Sequence, residues 1–373
     1  MRPAIKPGLL MAWRDQDTLQ LGIDPRRAVA LTGLGGAAAV LGLLDGSRDH
    51  AQVLVAAHER GIPRDTADRV IALLAAAGVV EDFPAAALRA LPDGPRARLA
   101  CELASASLAH GHADGGARIL SRRQGARVRV YGTGPVGSSV ASLLTASGVG
   151  RVSSVSQPGR PGAGPPDIGL PDGGLPDCGL PDASLPGPGS AGAHLPRAAA
   201  RTRSDRRPRP GAAIPTARPR AGASAARPGQ REDLAILAGG YPAELPGELT
   251  ASGTVHLAVS ASEAIGVVGP LVIPGRSACL GCLELARRDR DPAWPLILAQ
   301  VTGRAASPAA CGATLVAAVA AQAAGQALSF IDLARPADAV TNGTLELVLP
   351  GWQWRRRSWT RHPRCRCSRR PGT

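Results

Sequence analysis

Lysine is all but missing from this chain: Lys6 is the only one, and every other basic residue is arginine. Aromatic residues are nearly as scarce, at 2% of 373 positions, so the cores must be built from Ala, Val and Leu. The start, MRPAIKPGLLMAWRD, lacks an apolar run followed by a small-residue cleavage site, which argues against a signal peptide. The seven cysteines do not form a disulfide framework, because four of them fall into two close pairs, Cys279/Cys282 and Cys365/Cys367. A reducing, cytoplasmic location is therefore expected. One stretch, Gly312 to Leu333, is apolar enough to suggest a membrane span. It is mostly alanine and carries Gln322 and Gln326 one turn apart, so a buried core helix is expected and no membrane.

The net charge of +14 would ordinarily point to a polyanionic partner. Its distribution speaks against nucleic acid. Between Ser156 and Arg231 eleven arginines stand against five aspartates, and this one segment supplies a surplus of six. The arginine, alanine, glycine and proline richness is that of a GC-rich gene. With 373 residues, two or three units sharing a sizeable core are expected.

Residues 1–85 read as a separate module. Leu10 to Trp13 and Thr18 to Gly22 predict a hairpin across the polar turn Arg14 to Asp17, and Ala28 to Leu44 a further strand and helix. Two short helices follow. The first runs from a Ser47 or Asp49 cap to Gly61, and the second from Pro63, with Ala67, Val70, Ile71, Leu74 and Ala77 at helical spacing, to Gly78. Val79 and Val80 then read as a wing strand, completing a winged-helix pattern. A DNA-reading second helix needs a basic or amide outer face. Here Arg64, Asp65, Asp68 and Arg69 nearly cancel, which suits peptide docking along a strand edge better. Trp13 is a candidate anchor in that module, or ordinary core.

Residues 86–125 predict a helical connector, with Leu88, Leu91, Leu99 and Leu103 at helix-compatible spacing, and His110 and His112 read as surface histidines. Next comes RVRVYGTGPVGSSVASLLTASGVGRVSSV, Arg127 to Val155. Val128 and Val130 alternate with arginines as in a half-buried strand, and Gly132, Gly134 and Gly137 spell G-x-G-x-x-G at the opening of a helix that stops at Gly148. A strand, glycine turn and helix in that order predict a Rossmann-like unit, whose turn brings backbone N–H groups close to a phosphate. The α/β domain is expected over 126–155 and 232–350, with strands at Leu234–Leu237 and Thr254–Val259, a charged helix Leu283–Arg290, an Ala-rich helix near Ala313–Ile331 and a strand Thr344–Leu349. Between its halves, 156–231 is low-complexity text with Leu-Pro-Asp at 170, 175 and 180; lacking apolar periodicity, it is expected to be disordered. An Arg-rich tail, 351–373, closes the chain.

Two close cysteine pairs far apart in sequence can give four thiolates to one tetrahedral zinc, the closed set of a structural site. Cys279, Cys282, Cys365 and Cys367 are the expected ligands, with His362 an alternative for one of them because Cys-x-Cys is tighter than the usual pair. Arg361, Arg364 and Arg366 lie nearby to offset the negative charge of such a centre. Cys311, at the start of the Ala-rich helix, reads as a small buried residue.

Taken together, the glycine turn, the cysteine pairs and the Ala-rich helix resemble the E1-like superfamily, the ThiF and ubiquitin-activating-type adenylyltransferases. With the N-terminal module, GVVGPLVIPGRSACLGCLELARRDRDPAWP and the ending HPRCRC, the chain resembles more narrowly the leader-peptide-binding E1-like partners of YcaO cyclodehydratases in azole-forming peptide maturation. The resemblance spans residues 1–155 and 232–368. It implies a precursor-peptide partner, a YcaO-type partner enzyme, a homodimer, and ATP as the cofactor for adenylating a C-terminal carboxylate. The parts needed for ATP are lacking. Ser156 and Gln157 stand where an acid should hold the ribose, the insert replaces an arginine motif, Lys6 lies in another module, and Gly239 and Gly240 stand where an aspartate should approach magnesium. The expected function is therefore a degenerate scaffold without catalysis of its own. The alternatives are a working ThiF-type adenylyltransferase of a sulfur-carrier or ubiquitin-like protein, and a zinc-containing DNA-binding regulator.

A structureless insert of this length inside an α/β domain is unusual. A shifted reading frame in a GC-rich gene produces such text. Translating the gene in its other two frames tests this: a helix-and-strand pattern across 156–231 is the expected result, and its absence from both frames rejects the idea.

Overall fold

Twelve strands and eleven α-helices order the described residues, with a core of 25 buried apolar residues gathered on a seven-stranded sheet. The structure is a computed structural model. It describes residues 1–132, 134–155, 232–301, 311–333 and 337–368, so the expectation of disorder over 156–231 lies outside the described residues.

The chain begins with β1 (Pro3–Ile5), β2 (Met11–Trp13), β3 (Thr18–Leu21) and β4 (Val29–Thr32), then a 3-10 helix (Gly35–Leu43), α1 (His50–Glu59), α2 (Arg64–Ala76) and β5 (Val80–Asp82). β2, β3 and β4 form an antiparallel sheet in which Leu19 and Leu21 are fully buried. α1 starts in a capping box: the Asp49 carboxylate accepts from Gln52 N–H, and the Gln52 side chain accepts from Asp49 N–H, both at 2.9 Å. α2 opens after Pro63 and buries Ala67, Val70, Ile71 and Leu74, one stripe at helical spacing. The strand after α2 differs from the sequence expectation of a wing: β5 leaves the hairpin alone and pairs antiparallel with β1, Pro3 opposite Asp82. β4 has already taken the place beside β3.

Four helices follow, α3 (Ala86–Arg89), α4 (Asp93–Arg98), α5 (Ala100–His110) and α6 (Ala117–Gly125), and lead into β6 (Arg127–Tyr131), α7 (Pro135–Ala146) and β7 (Arg151–Val155). Beyond 231 come β8 (Leu234–Leu237), α8 (Leu245–Ala251), β9 (His256–Ser262), β10 (Ile265–Val272), α9 (Leu280–Arg290), α10 (Trp294–Val301), α11 (Ala313–Leu333), β11 (Gly343–Val348) and β12 (Gln353–Ser358). The sheet order is β12-β11-β10-β9-β8-β6-β7. β7, β6, β8 and β9 run parallel, whereas β9 to β12 are antiparallel. The architecture is mixed α/β on one large mixed sheet.

Period-2 burial on β6, with Val128 and Val130 inside, and four consecutive buried residues in β8 show which strand has one covered face and which has two. α7 and α11 cover one face. Val130, Val140, Leu257, Leu315 and Val319 meet there fully buried, each contributing about 2 kcal/mol. α11 is the one described helix long and apolar enough to cross a membrane, yet Leu315, Val319, Ala320, Ala323 and Ala327 pack it into this core. Small side chains let it approach the sheet closely: a Cβ on Gly266 of β10 would lie 2.3 Å from the Val319 side chain.

A buried ion pair joins the helices before β6 to this core. Arg123 of α6 donates from Nε and Nη2 to the two oxygens of Asp332 on α11, at 2.8 and 2.7 Å, and from Nη1 to Glu102 of α5 and to the Ser147 carbonyl after α7. His110, read as a surface residue, is instead largely covered, with Nε2 3.6 Å from Asp332. Cutting Asp332 back to alanine removes the bidentate partner and leaves the buried Arg123 charge to Glu102 alone, so Asp332→Ala is expected to lower stability by about 3 kcal/mol in urea denaturation. A loss below about 1 kcal/mol would show the pair to be solvent-screened.

Candidate functional site

Two arms of chain bring the four paired cysteines together. The first descends from β10: Ser277 Oγ accepts from Ile273 N–H at 2.7 Å, folding the loop so that Cys279 caps α9 and Cys282 lies on its first turn. The second leaves β12 through Trp359, whose indole N–H donates to Thr344 at 3.0 Å. Asn342 clamps both arms. Its side-chain oxygen accepts from Ala278 N–H at 2.7 Å and its carbonyl from Trp359 N–H at 2.9 Å. Asn342 adopts φ +53°, a left-handed conformation that asparagine tolerates. Sequence reasoning missed it, although the Asn342-Gly343 dipeptide is a turn signal.

The sulfurs of Cys279, Cys282, Cys365 and Cys367 all lie within 4.8 Å of one another. Cys279 is 3.8 Å from Cys282 and 3.6 Å from Cys365, and Cys282 is 3.3 Å from Cys367. Tetrahedral zinc with Zn–S near 2.3 Å sets sulfurs about 3.8 Å apart, so the donor set fits a four-thiolate metal. Val272, Ala278, Leu283 and Trp359 surround it. Burial pushes the Cys279 thiol far up and the Cys365 thiol up to about 11. The Cys279 and Cys365 thiols therefore stay protonated unless a cation supplies the compensating charge. No outward-facing position is needed for such a closed set, which suits a structural centre.

His362, the alternative ligand, is used elsewhere. Its Nε2 meets Asp289 of α9 at 2.8 Å, while its Nδ1 accepts from Arg364 N–H at 3.2 Å. Arg364 pairs with the other oxygen of Asp289. These two bonds hold the Asp289 carboxyl below the usual carboxylate range. The tail is thereby tied to α9 beside the cysteines, and Arg361 adds a bond to the Cys367 carbonyl at 2.6 Å. Asp289 is the second residue that the sequence reading did not single out.

At the glycine turn the three glycines differ in what they do. A Cβ on Gly132, at φ +113°, would lie 2.1 Å from the Gly239 carbonyl oxygen, and one on Gly137 2.3 Å from the Gly132 carbonyl oxygen. These two are demanded by the close approach of β6, α7 and the end of β8. Gly134, capping α7, has nothing within 4 Å of its Cβ position and faces open space. The expectation that strand, turn and helix follow one another holds. Gly239 and Gly240 end β8 at φ +83° and +63°, where an acid was sought. Lys6 is far from serving a phosphate: it is buried, its ammonium donating to the Ser107 carbonyl at 2.9 Å near Glu81. Burial lowers its pKa, against the pull of Glu81 and Asp114. Ser156 and Gln157 lie outside the described residues. Cys311 is half-buried before α11, and burial raises its thiol pKa rather than activating it.

No family model and no curated protein sequence matches the chain. In fold it is similar to several solved structures at low sequence identity. The solved structures that match include a heterocyclase in complex with substrate and cofactor (TM-score 0.59, 14% identity, over 99% of this chain and 39% of that one). The heterocyclase TruD matches at TM-score 0.58 and 14% identity, over 98% of this chain and 42% of that one. E. coli MccB with AMPCPP and MccA matches at TM-score 0.57 and 12% identity, over 99% of this chain and 100% of that one. The chain thus spans about two fifths of the heterocyclases' length and all of MccB's.

The cysteine cluster makes a direct prediction. The purified protein is expected to carry about one zinc per chain by elemental analysis. Cys365→Ser with Cys367→Ser is expected to abolish it and loosen the tail from α9, seen as faster amide exchange at Trp359. Full protection of the tail in metal-free protein would contradict a structural role.

Proposed function

We propose that this protein is a degenerate E1/ThiF-like scaffold that binds the leader of a precursor peptide and presents the remainder to a separate YcaO-type cyclodehydratase in bacteriocin-type peptide maturation. The observation that carries this reading is the likeness in fold to a heterocyclase in complex with its substrate, of whose length the chain matches 39%; the separate partner enzyme is what the sequence resemblance implies. The N-terminal residues 1–85 are taken as a winged-helix peptide-recognition module, 86–125 as its connector, and 126–155 with 232–350 as a Rossmann-like domain. Among the described residues β2 and β4 are the outer strands of the small sheet, and each offers an unpaired edge to an extended peptide. Along β4 the side chains of Val29 and Leu31 are half-buried, leaving apolar surface at that edge.

The proposed mechanism is proximity. A leader held on the module raises the effective concentration of the core peptide at the partner's active site without any bond being made here. Zinc on Cys279, Cys282, Cys365 and Cys367 would fix the tail 351–373 to the body. A homodimer and a cytoplasmic, reducing location complete the proposal.

One observation favours a second reading, an active ThiF-type adenylyltransferase. Gly134 at the N-terminus of α7 leaves room for a phosphate. The buried Lys6 speaks against it. Nothing favours a DNA-binding regulator, since the charges of α2 pair locally, Arg69 with Asp65 and Asp68 with His50.

The proposal expects a YcaO-type gene and a short Cys/Ser/Thr-rich precursor among the neighbouring genes, and the test uses that precursor. Titration calorimetry is expected to show binding to its leader and none to its core segment, and Leu31→Asp is expected to weaken it by about tenfold or more. A leader that does not bind sinks the scaffold reading. ATP–pyrophosphate exchange with a carrier ending in Gly-Gly would replace it with the second.

A further inference from the structure

The antiparallel end of the large sheet carries a surface that neither the metal centre nor the peptide module uses. On β11 and β12, Leu345, Leu347 and Trp354 face the core beneath α11. The opposite face is set by strand alternation and register: Ile265 opposite Val348, then Val348 opposite Gln353, and Glu346 opposite Arg355. Ile265 is 37% exposed and Val348 50%. The turn joining Val348 to Gln353 carries Trp352, 48% exposed and at φ +49°. A bulky residue in the left-handed region is strained, and here the strain holds an indole at the tip of the turn. Single exposed apolar residues are commonplace, but three on neighbouring positions mark an interaction surface.

The rest of this face is cationic. Arg355 and Arg357 project from it at the edge of the sheet, since among the described residues β12 pairs with β11 alone. Arg357 lies over the Trp359 ring at 5.5 Å, and Arg290 of α9 reaches the same ring at 5.7 Å. Glu346, 3.7 Å from Arg357, is the one carboxylate that the two strands contribute. Arg356 belongs to the other face and is spent on the Ala339 and Thr341 carbonyls. Arginines on an edge strand also deter edge-to-edge pairing, yet that role leaves Trp352, Val348 and Ile265 unaccounted for.

We propose that this face docks an extended segment of a partner protein that carries carboxylates along one half and apolar side chains along the other. Lying across the face, it sets its carboxylates against Arg355, Arg357 and Arg290 and its apolar residues over Trp352, Val348 and Ile265. A second copy of this chain is a poor occupant, because a two-fold contact would set Arg355 and Arg357 against themselves. A phosphate backbone has no use for the apolar end and is repelled by Glu346. The proposal goes beyond the leader-binding reading and stands apart from it, since the leader is assigned to the first 85 residues at the other end of the sequence.

The test titrates the protein with a short synthetic Glu–Val peptide, its glutamates in one half and its valines in the other, with a Lys–Val peptide of the same layout and with duplex DNA, following tryptophan emission and heat. The Glu–Val peptide is expected to bind and the Lys–Val peptide not. The double variant Arg355→Glu with Arg357→Glu, its circular dichroism unchanged, is expected to weaken the first by about tenfold and to prefer the second. Trp352→Ala is expected to weaken binding without reversing the charge preference. Failure of the Glu–Val peptide to bind, or binding that ignores both variants, overturns the proposal. So does tighter binding of DNA that the arginine variant abolishes, or a dimer in sedimentation equilibrium that Trp352→Ala dissolves. None of these outcomes bears on leader binding, which is measured with a different peptide and a variant in β4.

Discussion

The bidentate pair between Arg123 and Asp332 is the interaction on which the arrangement of the helices depends. Arg123 reaches α5, the end of α7 and α11 at once, through Glu102, the Ser147 carbonyl and Asp332. Burying a guanidinium is unfavourable on its own, and here burial is outweighed by the bonds to Asp332 and Glu102, which keep the Arg123 pKa above its usual value. An apolar pair of the same volume could have packed there as stably. What the charges add is register, because a forked donor meets a forked acceptor in one orientation. The same fork sets how α11 lies against the sheet, and α11 supplies eight of the 25 buried residues of the main core.

The C-terminal end solves a related problem by other means. β12 is an edge strand followed by an arginine-rich tail with few apolar side chains of its own. It is held by Asn342, by Asp289 and by the cysteine cluster, all short-range contacts that cross from one arm of chain to the other. A small apolar patch around Trp359 is then enough to exclude water from the sulfurs. Structure at this end rests on directed bonds, whereas at α7 and α11 it rests on area.

Much of this was legible in the residues. The alternation of Val128 and Val130, the glycine spacing and the Leu234–Leu237 run carried the central strands, because one-sided and two-sided burial leave different periodicities. The cysteine pairs carried the candidate metal site, because only four residues of one chemistry had to be matched. What was not legible depended on contacts between distant segments. β1 is three residues with a proline and gains its identity only from β5. Asp289 looks like one charge among several on α9 until His362 and Arg364 arrive from the tail. His110 looked exposed for want of a sequence neighbour, and its neighbour is Asp332, more than two hundred positions away. The glycine turn was read as one unit, and the packing divides it into two glycines that the fold needs and one that it does not.

The burial of Lys6 has a consequence for covalent chemistry. It is the chain's only lysine, and its amine is enclosed between the Ser107 carbonyl and Glu81. Acylating, methylating or isopeptide-forming enzymes therefore find no lysine side chain on the folded surface. Positive side-chain charge on the exterior is carried chiefly by guanidinium groups, which keep their proton at any physiological pH. The cationic character of this protein is fixed by its sequence, beyond the reach of lysine modification.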